Sequence, residues 1–314
     1  MRKVYIYPKF SKYEFFGFRI GGNGLGNLLF IFARAVIYAK KYQLELINPT
    51  WRSVKLGTIL RGERDSRAYS NLFDKPMGIS GIKKFFLLFF AKKYPENKLL
   101  ELIKGISDNQ EINSQIVIEC TGHEGFFEGL IGYRLLIRNK LLSIITDSNI
   151  QNIKNHQLND GIVVHIRMGD FQPVPGELSK IKPFLNYRLP IAWYICMIDK
   201  IRERAGIETP VYIFSDGRTS QLSEILCKEN IFRIDTGNSI SDMISLSSGA
   251  ILIGSGSTFS MWASFLGGMP SIWYPSLHPY ELLEDQNIYE GEINFNDQLP
   301  EKLLINISSI FHNA

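Results

Sequence analysis

Short apolar runs alternate with helical stretches through the second half of the chain, and this alternation limits the fold more than any other feature. The runs are Ile162–Ile166, Val211–Phe214, Ile231–Ile234, Ala250–Ile253 and Ser271–Tyr274. Between them lie stretches of helical pattern at Pro190–Ala205, Ser220–Glu229, Asp242–Ser248 and Thr258–Leu266. Strands that read as unbroken apolar runs are buried on both faces, and the β–α order calls for crossover helices. The expected class is therefore α/β, a parallel doubly wound sheet. The run Ile162–Ile166 releases Arg167 and Asp170 into the loop at its carboxyl end, where ligands bind in open α/β sheets. An arginine there offers a fork of donors suited to phosphate. The competing reading is that Arg167 and Asp170 pair and stiffen the loop.

A chain of 314 residues is long enough for two domains. The boundary is expected in the polar run Ser148–Asp160, giving domains 1–155 and 156–314. In the first, a β-rich segment Val4–Ile20 leads into Gly21-Gly22-Asn23-Gly24-Leu25-Gly26-Asn27 and a helix from Leu28 to Tyr42. Such a glycine turn lets backbone N–H groups approach a phosphate or sugar, or only permits close helix–strand packing. Its spacing is not that of the dinucleotide fingerprint, because Asn27 stands where the last glycine belongs. Strands are expected at Leu44–Ile47 and Gln115–Cys120, and a helix from Leu130 to about Ile145. The stretch from Trp51 to Lys75, with Arg52, Arg61, Arg64 and Arg67, reads as a loop over the acceptor side or as a solvated loop with no role. A tail helix, Pro300–Ile310, is expected to pack back on the first domain.

The formal charge of +4 suits an anionic small molecule or membrane surface and falls short of a nucleic-acid footprint. Three widely spaced cysteines give neither a disulfide framework nor a zinc pattern, which points to a reducing cytosol. The start of the sequence has no signal-peptide core, and no stretch has the apolar length to span a bilayer. In Lys83–Lys93, seven apolar residues sit between two lysine pairs. This segment reads either as a helix buried inside the first domain or as a peripheral contact with the inner face of the membrane.

His165-Ile166-Arg167-Met168-Gly169-Asp170-Phe171 resembles the His-x-Arg-Arg-Gly-Asp-Tyr motif of GDP-fucose-dependent fucosyltransferases, closest to the α-1,2 group. Met168 stands in place of that motif's second arginine. Gly24-Leu25-Gly26-Asn27 with Phe30 resembles the Gly-Leu-Gly-Asn-Gln-Met-Phe opening of the same enzymes. Ser215-Asp216 follows a strand as their Ser-Asp-Asp does, and Gly254–Ser260 with Met261-Trp262-Ala263 resembles their Ser-Ser-Phe-Ser-Trp-Trp-Ala. Asp242 stands where they carry the aspartate that receives the guanine N–H groups. The resemblance implies a GT-B-like fold, two Rossmann-like domains with parallel sheets facing across a cleft. It implies donor contacts from Gly24, Gly26, Asn27, His165, Asp216, Asp242, Ser255, Ser257, Thr258 and Phe259. It also places an aromatic, glycine-bearing acceptor stretch near His123 and Glu124, for which capping or core-edge roles are the alternative. For Asp242, and for Ser257 or Thr258, helix capping is the simpler alternative.

Loss of GDP from a sugar builds negative charge on the pyrophosphate. The sequence contains no Asp-x-Asp to hold a divalent ion, so no metal or other cofactor is expected beyond the GDP-sugar co-substrate. Arg167 and the helix start at Ser257-Thr258 are then the preorganised donors for that charge. The acceptor hydroxyl must lose a proton. Asp170 and Glu177 are the candidate bases, with Asp170 preferred because it lies in the motif. The expected function is inverting transfer of L-fucose from GDP-fucose to a glycan or lipid-linked oligosaccharide, in α-1,2 linkage, for surface polysaccharide synthesis in the cytoplasm. The alternatives are another GDP-sugar on the same fold, a nicotinamide-dependent oxidoreductase, and a non-catalytic glycan- or nucleotide-binding protein.

Overall fold

The computed structural model describes residues 3–15, 17–21, 23–54, 69, 71–107, 115–169, 171–182 and 187–312. Most of the arginine-bearing stretch between Trp51 and Lys75, and Asp170, lie outside the described residues. Backbone contacts divide the chain into two units, Met1–Ser148 and Asn149–Ala314. The polar run expected to hold the boundary forms a helix over Asp147–Asn155, and Asn149 there accepts a hydrogen bond from Asn238 Nδ2 at 3.0 Å.

The first unit is built on β1 (Lys3–Pro8), β2 (Glu45–Leu46), β3 (Lys92–Pro95) and β4 (Gln115–Cys120), parallel and in the order β2-β1-β4-β3. Helix α1 (Leu25–Lys41) is buried almost all round its first three turns and carries Lys40 and Lys41 at its last turn, where cations favour the dipole. It starts three residues earlier than Leu28, the expected start. The glycine turn was read as running through Asn27, but Leu25 and Gly26 are drawn into the packed interior and Gly24 takes the N-cap.

Helix α2 (Gly81–Phe90) corrects one alternative for Lys83–Lys93, because the helix is not buried inside the unit. Only Leu87 is buried, against Tyr5, Tyr7, Ile47 and Val117, and the phenylalanines face solvent. Lys84 alone of the segment's lysines turns inward. Its Nζ donates to Thr50 Oγ1 at 2.9 Å and lies 5.3 Å from the Tyr7 ring. Burial lowers the Lys84 amine to about 8, from an ordinary 10.5. The unfolded chain therefore holds this proton more readily than the folded one between those values, and stability contributed here rises with pH. Lys84→Met is expected to melt above the wild type at pH 7, with the difference shrinking towards pH 10 in a melting series.

In the second unit β5 (Ile162–Ile166), β6 (Val211–Ser215), β7 (Ile231–Ile234), β8 (Ile251–Ile253), β9 (Ser271–Trp273) and β10 (Glu290–Glu292) form one parallel sheet ordered β7-β6-β5-β8-β9-β10. Every residue of β5 is buried, as its apolar run requires. The chain adds β6 and β7 on one side of β5, then returns to add β8, β9 and β10 on the other. This is the Rossmann order, and its reversal leaves a crevice outside the carboxyl ends of β5 and β8. The helices flanking the sheet include α3 (Ile191–Ala205), α4 (Ser239–Leu246), α5 (Thr258–Gly267) and α6 (Glu301–Phe311).

The tail helix α6 packs within the second unit. Leu303 and Ile307 are sealed into the second unit's own core with Trp193, Met197 and Ile201 of α3, and His312 Nε2 lies 2.7 Å from Arg204 O. The helix expected over Ser220–Glu229 shortens to a 3₁₀ turn, Thr219–Gln221, and a single α turn, Ser223–Leu226. Polar side chains compete for the backbone there: Gln221 Oε1 takes the Arg218 N–H at 2.8 Å, and Ser223 Oγ donates to Ser220 O at 3.1 Å.

Candidate functional site

The first of the sequence motifs sits at the carboxyl end of β5, where ligands bind in this fold. Arg167 leaves the strand and its Nη1 meets Asp216 Oδ2, at the end of β6, at 2.6 Å. The other oxygen, Asp216 Oδ1, accepts the Met168 N–H at 2.8 Å. The Arg167 guanidinium also lies 5.1 Å from the Phe171 ring. One carboxylate thus holds both the cation and the backbone beside it. Glycine at 169 makes this approach workable, since a Cβ there would lie 2.6 Å from Asp216 Oδ2. Sequence reasoning paired Arg167 with Asp170 or with the donor and did not find the partner on the neighbouring strand. Met168, at the position of the second arginine, is buried among Ile166, Leu189 and Trp193. It is a core residue here.

Beneath Arg167, His165 is fully enclosed in a knot of serines. Its Nδ1 lies 2.7 Å from Ser260 Oγ, 3.0 Å from Ser255 Oγ and 3.4 Å from Ser257 Oγ. Ser255 N donates to Ser260 Oγ at 3.1 Å, and Ser257 caps α5 by accepting from Ser260 N at 3.3 Å. Phe259 covers the ring at 4.9 Å between centroids. Burial pushes the His165 imidazole well below its ordinary pKa, with nearby Arg167 adding to this and Asp216 opposing it. That direction favours the neutral ring, in which one nitrogen donates and the other accepts. The knot ties the end of β5 to the start of α5, whose first N–H groups point out of the helix. Ser260 was missed as a site residue. An inward-facing histidine in an apolar strand, followed by a serine three residues after an N-cap, was the available signal.

Gly256 shapes the same loop with φ +72°. A Cβ there would come 2.9 Å from Leu277 Cβ. The segment carrying Leu277 is pinned by two carboxylates of the edge strand. Glu292 accepts from Ser276 N and His278 N, and Glu290 from Leu282 N and Leu283 N. Gly256→Ala therefore meets both strain and contact, and a loss of about 1–3 kcal/mol in stability is expected. A denaturant melt with the midpoint unchanged would contradict this packing.

Asp242 lies in the first turn of α4, but Asn238 caps that helix, accepting from Ser241 N at 2.9 Å. Asp242 Oδ1 instead takes the Thr236 N–H at 2.9 Å and the Thr236 hydroxyl at 2.8 Å. Its Oδ2 makes no hydrogen bond with any described residue. Burial raises the Asp242 carboxyl above its ordinary pKa, and the two Thr236 hydrogen bonds partly offset this. Glu177 is exposed and pairs with Lys180 at 3.0 Å, sharing no hydrogen bond or ion pair with the crevice cluster.

Within the first unit, the glycine turn and the stretch Thr121–Phe127 come together. Asn23 Nδ2 lies 2.9 Å from His123 Nε2, and Phe30 of α1 stands edge-on to Phe126 at 5.3 Å. Gly24 is the N-cap of α1, with Gly26 and Asn27 in its first turn. Burial lowers the His123 pKa, with Arg34 adding to it. Glu124 is exposed, and its backbone carbonyl rather than its carboxylate is engaged, by Arg34 Nη1 at 3.4 Å. Arg34, which the sequence did not single out, pairs with Glu96 through two 3.0 Å contacts and also donates to Thr121 O and Gly122 O. It fixes the loop that presents His123. Among the described residues no group of three or more His, Cys, Asp or Glu side chains is placed to hold a metal ion.

The family model for glycosyl transferase family 11 matches residues 117–296. No curated protein matches the sequence. Among solved structures, the chain is similar to the α-1,6-fucosyltransferase NodZ co-crystallised with GDP, at 14% identity over 87% of this chain and 95% of that one, with a TM-score of 0.49. It is also similar to NodZ from Bradyrhizobium, at 14% identity, 85% and 94% coverage and a TM-score of 0.48. A third is the apo form of POFUT1, at 12% identity, 86% and 97% coverage and a TM-score of 0.49.

Proposed function

The chain belongs to glycosyl transferase family 11, and from that premise we propose that it transfers L-fucose from GDP-fucose to a glycan hydroxyl. The observation that carries this reading is Arg167, fixed by Asp216 at the carboxyl end of the central strand, two residues after His165, whose ring reaches Ser257 and Ser260 at the start of α5. A guanidinium already held in place costs no reorganisation when charge develops on a departing pyrophosphate. The first N–H groups of α5, set by the His165–serine knot, are suited to the same phosphate oxygens. Asp242, with Oδ1 committed to Thr236, has Oδ2 to accept guanine N–H groups.

In this proposal the acceptor attacks C1 as GDP leaves from the opposite face, so the anomeric configuration inverts. Asp170, next to Gly169 in the motif, is the proposed base. The exposed pairing of Glu177 with Lys180 favours Asp170 over it. Charge on the leaving group is met by Arg167 and α5 without a metal ion. His123 and Glu124 are proposed on the acceptor side, and an α-1,2 linkage in a cytoplasmic surface polysaccharide pathway is the proposed setting. The test is incubation with GDP-fucose and a panel of β-galactoside-terminated oligosaccharides. The expected product carries fucose α-linked to O2 of the terminal sugar, read by proton NMR. A product that retains the donor's configuration would contradict the mechanism.

A further inference from the structure

The unburied face of helix α2 takes no part in the proposed transfer chemistry. Ile82, Phe85, Phe86, Phe89 and Phe90 recur at the spacing of one helical stripe, the pattern that normally faces a core. Here it faces solvent, with Phe89 69% and Phe90 68% exposed, while Leu87 on the opposite face is buried against the sheet. The four phenylalanines stack on one another, Phe85 on Phe89 at 5.9 Å and Phe86 on Phe90 at 5.8 Å. A contiguous apolar surface of this kind marks an interaction site. Lysines frame it. Lys83 is exposed at one end and sits 3.6 Å from Glu45. Lys92 and Lys93 are exposed on edge strand β3 at the other end and form no ion pair among the described residues. The whole segment from Ser80 to Lys93 contains no acidic residue.

We propose that this face docks the protein on an anionic lipid bilayer, with α2 lying in the interface plane. The phenylalanines enter the boundary between headgroups and acyl chains, and Lys83 and Lys93, which shares the sheet face of Val117 beneath α2, meet the lipid phosphates. A helix of ten residues is about 15 Å long, enough to lie in the interface and too short to cross it. No helix among the described residues is long and apolar enough to cross a membrane. A second copy of the chain is a poorer occupant. A symmetric contact through this stripe would set the framing lysines of one copy near those of the other, with no carboxylate in the segment to relieve them. The inference rests on the exposed face alone and is independent of the transfer chemistry.

Vesicle flotation of the full chain tests it. With vesicles of phosphatidylcholine and phosphatidylglycerol at 3:1 and low salt, the protein is expected in the floating fraction. With phosphatidylcholine alone, or at high salt where the lysine attraction is screened, it is expected to stay below. Phe89→Ser/Phe90→Ser is expected to lower partitioning by about tenfold or more. Lys93→Gln, on an exposed edge, is expected to lower it about fivefold, and Lys92→Gln, on the opposite sheet face, by less. The Lys93→Gln variant carries the test if the phenylalanine variant loses its melting transition. Absence of flotation with the anionic vesicles, or flotation unchanged by these substitutions, overturns the proposal. So does a dimer in sedimentation that Phe89→Ser/Phe90→Ser converts to monomer without any vesicle binding.

Discussion

Arg167→Ala is expected to lower donor turnover by about a hundredfold to a thousandfold while weakening GDP binding much less. In the proposed reaction the guanidinium meets the most charge as the pyrophosphate departs, so its removal should fall mainly on the transition state. No second cation of the motif compensates, because Met168 is turned into the core. Arg167→Lys is expected to rescue only in part, since it keeps the charge and loses the fork held by Asp216. A purely structural pair behaves differently. Both side chains are partly open to solvent, and such pairs contribute about 1 kcal/mol or less to stability. Loss of turnover at nearly unchanged melting temperature separates the two. Asp216→Asn is expected to act in the same direction through Arg167, and its effect should largely disappear in the Arg167→Ala background.

Asp242→Ala is expected to weaken GDP by about 1.5–3 kcal/mol, or roughly ten- to a hundred-and-fifty-fold, if its free oxygen receives the guanine edge. Alanine also strips Thr236 of its acceptor, so stability should fall too. Asp242→Asn separates these effects. Its amide oxygen still accepts from Thr236, while its NH₂ replaces the second oxygen and opposes the guanine donors. Burial holds the Asp242 carboxyl above the ordinary range. GDP affinity should therefore decline, as pH falls, sooner than for an exposed aspartate, because protonation removes the acceptor. The asparagine variant should lack that decline in a calorimetric pH series.

The strands were legible because burial on both faces leaves unbroken apolar runs, and Ile162–Ile166 is fully buried as its composition requires. Helix α2 was not legible in the same way. Its stripe at Ile82, Phe85, Phe86, Phe89 and Phe90 has the period of a core face, and periodicity does not say whether anything covers it. The tail helix is a related case. Leu303 and Ile307 announce a buried face without naming the partner, which is α3. At the candidate site, the motif residues, Asp216 among them, were read through resemblance, but the contacts between them were not. Asp216 reaches Arg167 only because β6 pairs with β5, Ser260 reaches His165 across β8, and Arg34 meets Glu96 from a different element. Such long-range contacts carry no local spacing from which to read them.

The most direct test of the central claim is donor consumption by the wild-type protein in excess EDTA, with GDP-fucose, GDP-mannose, UDP-galactose and NADH compared side by side. Slow hydrolysis of GDP-fucose, faster than of the other nucleotides and undiminished by the chelator, is the expected result. Preference for the uridine donor, or activity that returns only when manganese or magnesium is added back, would contradict a metal-free GDP-fucose site built on Arg167 and the start of α5.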